Sequence, residues 1–286
     1  MAKPDIAAVK IGDFIFKIQS KYPIVFDIGY FSFVTTDFDN PDILLQVEDL
    51  SAVHLQPVEF IFEAVEQDFP LWKVCKTANG YRLFLYNQLQ KGTIQTLIDV
   101  PHQFDIWQIY CRPGLQGKVT PLAYPAGPLL LYMLAICNSA FIQHASAVIS
   151  NGRAFVFSGF SGTGKSTMAS IWRERGYTVI NDDIVLIRKN SKGFMVYNTP
   201  MYYEDKPKQA PLAAVFLLQH SKENYMKPLK GAAISKFMRS SVQHAYDKRF
   251  LNTHLQLVQD IYKTVPIVEM GFKPHVSVID FIHTHL

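Results

Sequence analysis

Residues 159–167 read Gly159-Phe160-Ser161-Gly162-Thr163-Gly164-Lys165-Ser166-Thr167 and fit the pattern G-x-x-x-x-G-K-[ST] of phosphate-binding loops. The flanks fit as well, because residues 154–157 are typical of a short buried strand and residues 167–175 of a helix that Gly176 stops. Glycines let consecutive backbone N–H groups converge on phosphate oxygens, and the helix N-terminus adds partial positive charge. The stretch therefore predicts a strand–loop–helix unit for phosphate groups.

Within this unit each side chain has an expected role. Lys165 is expected to reach the outer phosphates of a nucleotide, and Ser166 is expected to hold Mg²⁺. ATP and Mg²⁺ are the predicted cofactors. The residues predicted to bind the nucleotide are Gly159, Ser161, Gly162, Thr163, Gly164, Lys165, Ser166 and Thr167.

Composition narrows the class of protein. The 286 residues are 49% hydrophobic and 13% aromatic, which indicates a large core. The formal net charge is +4, but the 28 basic and 24 acidic residues are mixed along the chain without a basic block. This pattern does not favour a nucleic-acid partner.

The sequence predicts neither a membrane span nor a disulfide framework. The first residues contain no apolar signal region, and the longest apolar run, residues 129–137, is too short to cross a bilayer. The three cysteines, Cys75, Cys111 and Cys137, are far apart and form no C-x-x-C pair. We therefore expect a cytoplasmic protein with no membrane partner.

The chain is predicted to contain two domains, a β-rich domain over residues 1–118 and a mixed α/β domain over residues 119–286. The first half has short aromatic and β-branched segments between turn clusters, and residues 111–117 are dense in turn residues. The strands predicted there cover 13–18, 24–28, 31–35, 43–47, 81–86 and 104–110.

The second half alternates between strand and helix patterns. Asn151-Gly152 predicts a two-residue hairpin turn between strands 141–149 and 153–158, which places His144 across from the strand that leads into the loop. A further apolar strand, 177–183, ends in Asp182 and Asp183. The other predicted elements are a buried helix at 129–139, a hairpin of 184–188 and 194–197, a strand at 212–219, two helices within 232–262, and a last strand at 265–272 followed by 276–282.

His144, Asp182 and Asp183 are the candidate catalytic residues beside the loop. Phosphoryl transfer to a hydroxyl needs a metal ligand and a base near the γ-phosphate. Two adjacent carboxylates at the end of a strand can divide these tasks, with one facing the acceptor and the other the metal, and a nearby histidine can offset their mutual repulsion or relay the proton. A solvated turn after a strand is the alternative for the carboxylates, and a structural role is the alternative for His144.

Three motifs together resemble the catalytic domain of HPr kinase/phosphorylase and, more closely, the HPr-kinase-related proteins of the phosphoenolpyruvate-carboxykinase-like class of phosphate-loop proteins. The motifs are His144-Ala145-Ser146-Ala147-Val148, the loop at 159–167, and Asn181-Asp182-Asp183-Ile184-Val185. The resemblance extends roughly from Pro121 to the end of the chain. It implies a compact mixed α/β phosphate-loop domain.

The resemblance also implies roles by position. Asp182 would be the general base that takes the proton from a serine hydroxyl, Asp183 would bind the metal together with Ser166, and His144 would pair with the aspartates. Since related proteins occur beside peptide-maturation enzymes and some phosphorylate a serine of a small peptide, the acceptor implied is a peptide or small protein. Assembly into a homo-oligomer is left open.

The sequence departs from the family after the aspartates. An acidic residue followed by an Arg-Gly-rich run is expected there, whereas this chain has Met201-Tyr202-Tyr203-Glu204-Asp205-Lys206-Pro207. Glu204 or Asp205 is the candidate replacement for the acidic metal ligand, with a solvated loop charge as the alternative. Arg239 and Arg249 are the candidates for a later arginine, with surface helix positions as the alternative. HPr as substrate, phosphorylase activity and a hexamer are therefore not carried over.

The function predicted is an ATP-dependent serine kinase acting on a peptide or small protein. Two alternatives stay open at this point: a small-molecule or carboxykinase-like phosphotransferase on the same site, and a catalytically inactive nucleotide-binding regulator in which the N-terminal domain acts. A signalling GTPase is disfavoured, since the sequence contains no Asn-Lys-x-Asp motif.

Overall fold

The computed structural model describes residues 4–54, 56–87, 90, 92–103, 105–114, 116–229, 237, 241–242 and 247–286. The chain divides into two compact units, Met1–Leu134 with Pro200–Lys206 and Ala135–Thr199 with Pro207–Leu286. The boundary predicted after residue 118 lies earlier in the chain than this break. Over the described ranges, every helix is too short or too polar to cross a bilayer.

The first unit is built on one mixed sheet. Its strands, over the described residues, are β1 (Asp5–Ile11), β2 (Phe14–Ser20), β3 (Ile43–Asp49), β4 (Glu59–Glu66), β5 (Phe69–Thr77), β6 (Gly80–Tyr86), β7 (Ile94–Pro101) and β8 (Ile106–Cys111). They lie in the order β1-β2-β3-β8-β7-β6-β5-β4, and β3 runs parallel to both β2 and β8. The prediction of a β-rich first half is confirmed.

Two predicted strands of this unit are wrong. Residues 31–35 were expected to be extended, but Ile28–Phe33 forms a 3-10 helix, as does the short segment Leu50–Ala52. The buried side chains of Tyr30 and Phe33 are three residues apart, which is the period of a 3-10 helix. Residues 24–28 contain an isolated bridge at Ile24 in place of the predicted strand.

The second unit contains the remaining elements. Helix α1 (Ala126–Cys137) begins in the first unit and ends in the second. It is followed by β9 (Ala140–Ser150), β10 (Arg153–Ser158), α2 (Lys165–Glu174), β11 (Thr178–Asn181), β12 (Ile184–Asn190), β13 (Gly193–Asn198), β14 (Gln209–His220), β15 (Tyr225–Pro228), β16 (Ser241–Val242), α3 (Lys248–Thr264), β17 (Ile267–Phe272) and α4 (Ser277–His285).

The predicted elements of this half are largely confirmed. The turn between β9 and β10 has Asn151 at φ 50° and Gly152 at φ 73°, the left-handed pair that a two-residue hairpin turn requires. The predicted loop helix is α2, which begins two residues earlier than expected, at Lys165. Helix α3 is the second of the two helices predicted within 232–262. Most of the first lies outside the described residues.

Strands β9 to β17 form one mixed sheet whose pairing closes on itself. Its path runs β10-β9-β12-β13-β14, and β14 also pairs with β10 in parallel. Strand β17 extends the sheet beyond β14, again in parallel. Because β10, β14 and β17 point the same way, the segments that follow them emerge at the same edge of the sheet.

This sheet separates two buried clusters. Successive residues of β10 alternate between them, as the period of a strand requires: Ala154 and Val156 belong to one cluster, and Phe155 and Phe157 to the other. The first cluster includes Leu257, Val258 and Ile261 of α3. The second includes Met168, Ala169, Ile171 and Trp172 of α2 and Val278, Ile279 and Ile282 of α4. The second unit is therefore a sheet with helices on both faces, and the predicted mixed α/β class is confirmed.

A buried histidine belongs to this packing. His254 of α3 is only 1% exposed, and neither ring nitrogen has a hydrogen-bond partner among the described residues. Its ring packs edge-on against Phe141, with ring centroids 5.2 Å apart. Burial lowers the pKa of His254 from its ordinary value of 6.5 to about 4. The folded protein therefore holds this side chain neutral.

We predict a pH-dependent loss of stability that originates at His254. Between pH 6.5 and pH 4 the unfolded chain protonates this residue and the folded chain does not. The free energy of unfolding is thus greatest above pH 6.5 and falls toward pH 4, by about 3 kcal/mol in total for this group. Urea unfolding at several pH values gives the free energy of unfolding as a function of pH. The slope of this free energy against pH should be shallower for His254→Phe, because the variant has no imidazole to protonate at this position. Identical slopes for both proteins would contradict the prediction.

Candidate functional site

The candidate site lies at the middle of β9, where its pairing with β12 ends and its pairing with β10 begins. Ala145 pairs with Ser158, the last residue of β10. His144, the preceding residue, pairs with Ile184, the first residue of β12. The loop that follows β10 and the carboxylates that precede β12 are therefore brought to the same part of the sheet.

Buried polar side chains of β9 hold the loop side of the site. Gln143 Nε2 donates to Ser158 Oγ at 2.8 Å, immediately before the loop begins. Ser146 Oγ donates to the carbonyl oxygen of Lys165 at 2.8 Å, immediately after the loop ends. Gln143, Ser146 and Ser158 are each fully buried, so these bonds replace hydration that the side chains have lost. Strand β9 thus fixes both ends of the loop.

The same strand holds the carboxylate side. The backbone N–H of Ala145 donates to the carbonyl oxygen of Asp183 at 2.9 Å. His144 Nε2 lies 3.1 Å from Asp183 Oδ1, with both side chains about half exposed. This hydrogen bond, together with the positive charges of the histidine and of Lys165, lowers the pKa of Asp183 despite partial burial. Asp183 is therefore held as a carboxylate facing the loop lysine.

The turn before β12 separates the two aspartates. Asn181, which is 3% exposed, accepts the backbone N–H of Asp183 at Oδ1 over 3.0 Å and fixes the turn. Asp182 Oδ2 lies 3.3 Å from Nη2 of Arg173 on α2. The structure thus pairs His144 with Asp183, and it pairs Asp182 with Arg173, which the sequence did not predict.

Hydrogen bonds to the carbonyl oxygen of Phe160, the second residue of the loop, hold the loop in a closed curve. The carbonyl oxygen of Phe160 accepts from Thr163 Oγ1 at 2.9 Å and from Lys165 Nζ at 3.1 Å. Lys165 Nζ also lies 3.2 Å from the carbonyl oxygen of Gly159. Burial lowers the pKa of Lys165, and the charge of Asp183 partly opposes this effect. The ammonium group is therefore inside the curve of the loop.

Two glycines give the loop its shape for different reasons. Gly162 has φ 81° and open space where a side chain would begin, so glycine is needed there for its backbone conformation alone. Gly164 has φ 95°, and a Cβ atom at this position would come within 2.7 Å of the buried Phe272 ring. Close packing of β17 against the start of α2 therefore also requires glycine at 164.

The first turn of α2 offers the groups that an anion and a hard cation need. Gly164 caps the helix without a side chain, so the N–H groups of the first turn have no capping oxygen from this residue. Ser166 and Thr167 follow with exposed hydroxyl groups. A helix N-terminus, an ammonium group, a serine hydroxyl and a carboxylate are the groups that a magnesium nucleotide needs, since Mg²⁺ in such sites binds one or two protein oxygens and the phosphates. The described residues hold no cluster of three His, Cys, Asp or Glu side chains that could bind a metal.

The residues considered as replacements for family motifs lie elsewhere. Glu204 and Asp205 belong to the first unit, where Glu204 accepts a hydrogen bond from Ser32 at 3.1 Å. Arg249 forms an ion pair with Asp247, the N-cap residue of α3, at 2.7 Å. Arg239 lies outside the described residues.

Sequence reasoning missed several residues that contact the site. Gln143 and Ser146 are polar in an otherwise apolar strand, and such residues are rarely buried without a specific partner. His220, the last residue of β14, lies 2.6 Å from the carbonyl oxygen of Gly162 through Nε2. The sequence signal for His220 was its position directly after the apolar residues of β14, because parallel strands end at the same edge of a sheet and ligands bind at that edge.

The first unit contains a separate open cleft of about 560 Å³. It carries two cationic side chains, Arg112 and Lys118, and its described lining contains no carboxylate. The lining has no base for a phosphoryl-transfer reaction, so we do not place the chemistry there. The described lining residues are Val25, Asn87, Gln90, Thr93, Ile94, Gln95, Arg112, Gly114, Gln116, Lys118 and Thr120.

Comparison with known proteins gives one named structural neighbour. No family model and no curated protein matches the sequence. Among solved structures, the chain is similar to the Hpr(Ser) kinase/phosphatase from Coxiella burnetii, with 8% identity and a TM-score of 0.30 over 50% of this chain and 95% of that chain. A likeness of this size shows no activity of this chain.

We predict that Gly164→Ala destabilises the protein more than Gly176→Ala. Both positions have positive φ, so each alanine costs about 1–2 kcal/mol in backbone strain. Only at 164 does the new methyl group also meet a buried ring, which adds about 1–3 kcal/mol of overpacking. Urea unfolding of the two variants measures the difference. Equal losses of stability in the two variants would contradict the prediction, because the Phe272 ring would then move aside without a cost in free energy.

Proposed function

We propose that this protein is an ATP-dependent kinase that transfers the γ-phosphoryl group to a serine hydroxyl of a peptide or small protein. One observation carries the proposal: the fold of β9 and its neighbours brings together three elements that are far apart in the sequence. The glycine-rich loop with Lys165, the Asp182–Asp183 turn and His144 lie within reach of one another, and Asp183 is bonded to His144 at 3.1 Å. Phosphoryl transfer needs a loop that holds the phosphates, a metal ligand and a base close together.

The proposed nucleotide-binding residues are those of the loop and of the first turn of α2. Lys165 and the N–H groups of this turn would hold the phosphates, and Ser166 with Asp183 would hold Mg²⁺. When bound, magnesium ATP supplies the transferable phosphoryl group and the charge that neutralises it. The lowered pKa of Asp183 supports the metal role, because an ionised carboxylate is the form that binds a cation.

The different partners of the two aspartates support a division of labour. Asp183 faces Lys165 and His144, on the side of the phosphates. Asp182 is directed to Arg173, and its side chain is 32% exposed, so an acceptor can approach it. We assign Asp182 as the base that takes the proton of the acceptor hydroxyl. His144 is assigned to orient Asp183.

This division predicts different defects for two matched substitutions. Asp182→Asn should leave the affinity for a magnesium nucleotide nearly unchanged and reduce phosphoryl transfer by about 100-fold or more, the usual effect of removing a general base. Asp183→Asn should weaken the magnesium-dependent part of nucleotide binding as well. Calorimetry with and without Mg²⁺, beside a transfer assay, separates the two. Wild-type transfer by Asp182→Asn would remove the base role from this residue.

A peptide-library experiment tests the reaction itself. The protein is incubated with magnesium ATP and a random peptide library that contains one serine per peptide, and phosphoserine is detected by mass spectrometry. A matched library with alanine in place of serine should remain unmodified. We expect phosphoserine with the wild type and none with Asp182→Asn. Nucleotide binding without any phosphoserine would contradict a peptide kinase.

A further inference from the structure

His220 is positioned at the phosphate edge of the sheet by strand register. Strand β14 runs parallel to β10, with Leu217 opposite Ser158, and continues for three residues to His220. The glycine-rich loop begins where β10 ends, so the end of β14 extends alongside it. The side chain of His220 reaches the apex of the loop, where Nε2 lies 2.6 Å from the carbonyl oxygen of Gly162.

The chemistry of this contact sets the direction of the hydrogen bond. A carbonyl oxygen only accepts, so the proton must be on Nε2 of His220. The neutral tautomer with hydrogen on Nε2 and the protonated ring both satisfy this requirement. The bond therefore does not depend on charging the histidine.

The hydrogen bond from His220 restrains Gly162, a residue of the loop whose backbone has wide conformational freedom. Gly162 has φ 81° and open space at its Cβ position, and a glycine loses more conformational freedom than other residues when it is fixed. Because a peptide unit is planar, fixing the carbonyl group of Gly162 also fixes the direction of the Thr163 N–H group, which donates to the carbonyl oxygen of Phe160 at 3.3 Å. The bonds within the loop converge on the carbonyl group of Phe160, whereas His220 acts on the apex from another strand.

We propose that His220 is a positioning residue for nucleotide binding, which holds the Gly162–Thr163 peptide in place and so pre-organises the apex of the loop. The inference rests on the proposed function, since it assigns the loop to phosphates. It goes further in assigning a residue outside the loop that pre-organises it. Because the bond acts on the phosphate-binding backbone, its contribution should be the same whichever base the nucleotide carries.

The test compares three substitutions at His220 by calorimetry with Mg²⁺. Each is titrated with a non-hydrolysable ATP analogue and with inorganic triphosphate. His220→Ala and His220→Phe both remove the donor, and each should weaken binding of both ligands by about two- to ten-fold, the value of one neutral hydrogen bond. His220→Gln retains an N–H donor and should restore most of the affinity. His285→Ala, which removes another exposed histidine of the second unit, should have no effect.

The outcomes separate the inference from the function on which it rests. If the wild type binds both ligands and the Ala and Phe variants bind them equally well, the role of His220 is overturned and the proposed function stands. A loss that is confined to the ATP analogue also overturns it, because the residue would then act on the nucleoside. Failure of the wild type to bind either ligand overturns the proposed function and the inference together. Thermal unfolding of each variant shows whether a loss of affinity reflects a loss of fold.

Discussion

The candidate site depends on the hydrogen bonds made by four consecutive residues of β9. Gln143 and Ser146 hold the two ends of the glycine-rich loop, while His144 and Ala145 hold the side chain and backbone of Asp183. Strands β10 and β12 pair with opposite edges of β9, so one short segment can serve two partners at once. Without this segment, the glycine-rich loop and the carboxylates would be connected only indirectly, through the pairing of β10 with β14 and of β14 with β13 and β12.

Burial gives this arrangement its rigidity. Gln143, Ser146 and Ser158 have no exposed surface, and a buried polar group left without its partner costs about 1–3 kcal/mol. Sliding β9 by one residue against β10 would break these bonds and also reverse the alternation that places Ala147 and Val148 of β9 in different clusters. The register that packs the core is therefore the same register that assembles the site.

The sequence predicted the separate elements of the site better than the tertiary contacts between them. Local patterns identified the loop, the hairpin turn at Asn151 and the carboxylates, because each follows from turn chemistry or strand periodicity over a few residues. The Asp182–Arg173 pair and the His220–Gly162 bond join residues that are remote in sequence or on different elements, and only the tertiary fold determines such contacts. In the first unit, β4 was missed because its three glutamates and its exposed apolar residues do not show a buried face. The nucleotide, the metal and the acceptor stay predictions.

Calorimetric titration with magnesium and a non-hydrolysable ATP analogue tests the central claim most directly, using the wild type beside Lys165→Ala. The ammonium group of Lys165 lies inside the loop, so its removal should weaken binding by about 10- to 100-fold, the value of a charge-assisted hydrogen bond to phosphate. Lys189→Ala, which removes an exposed lysine paired with Asp260, should bind as the wild type does. We predict that the wild type and Lys189→Ala bind the analogue equally well and that only Lys165→Ala binds it more weakly. Equal affinity of Lys165→Ala and the wild type would contradict a phosphate site in this loop.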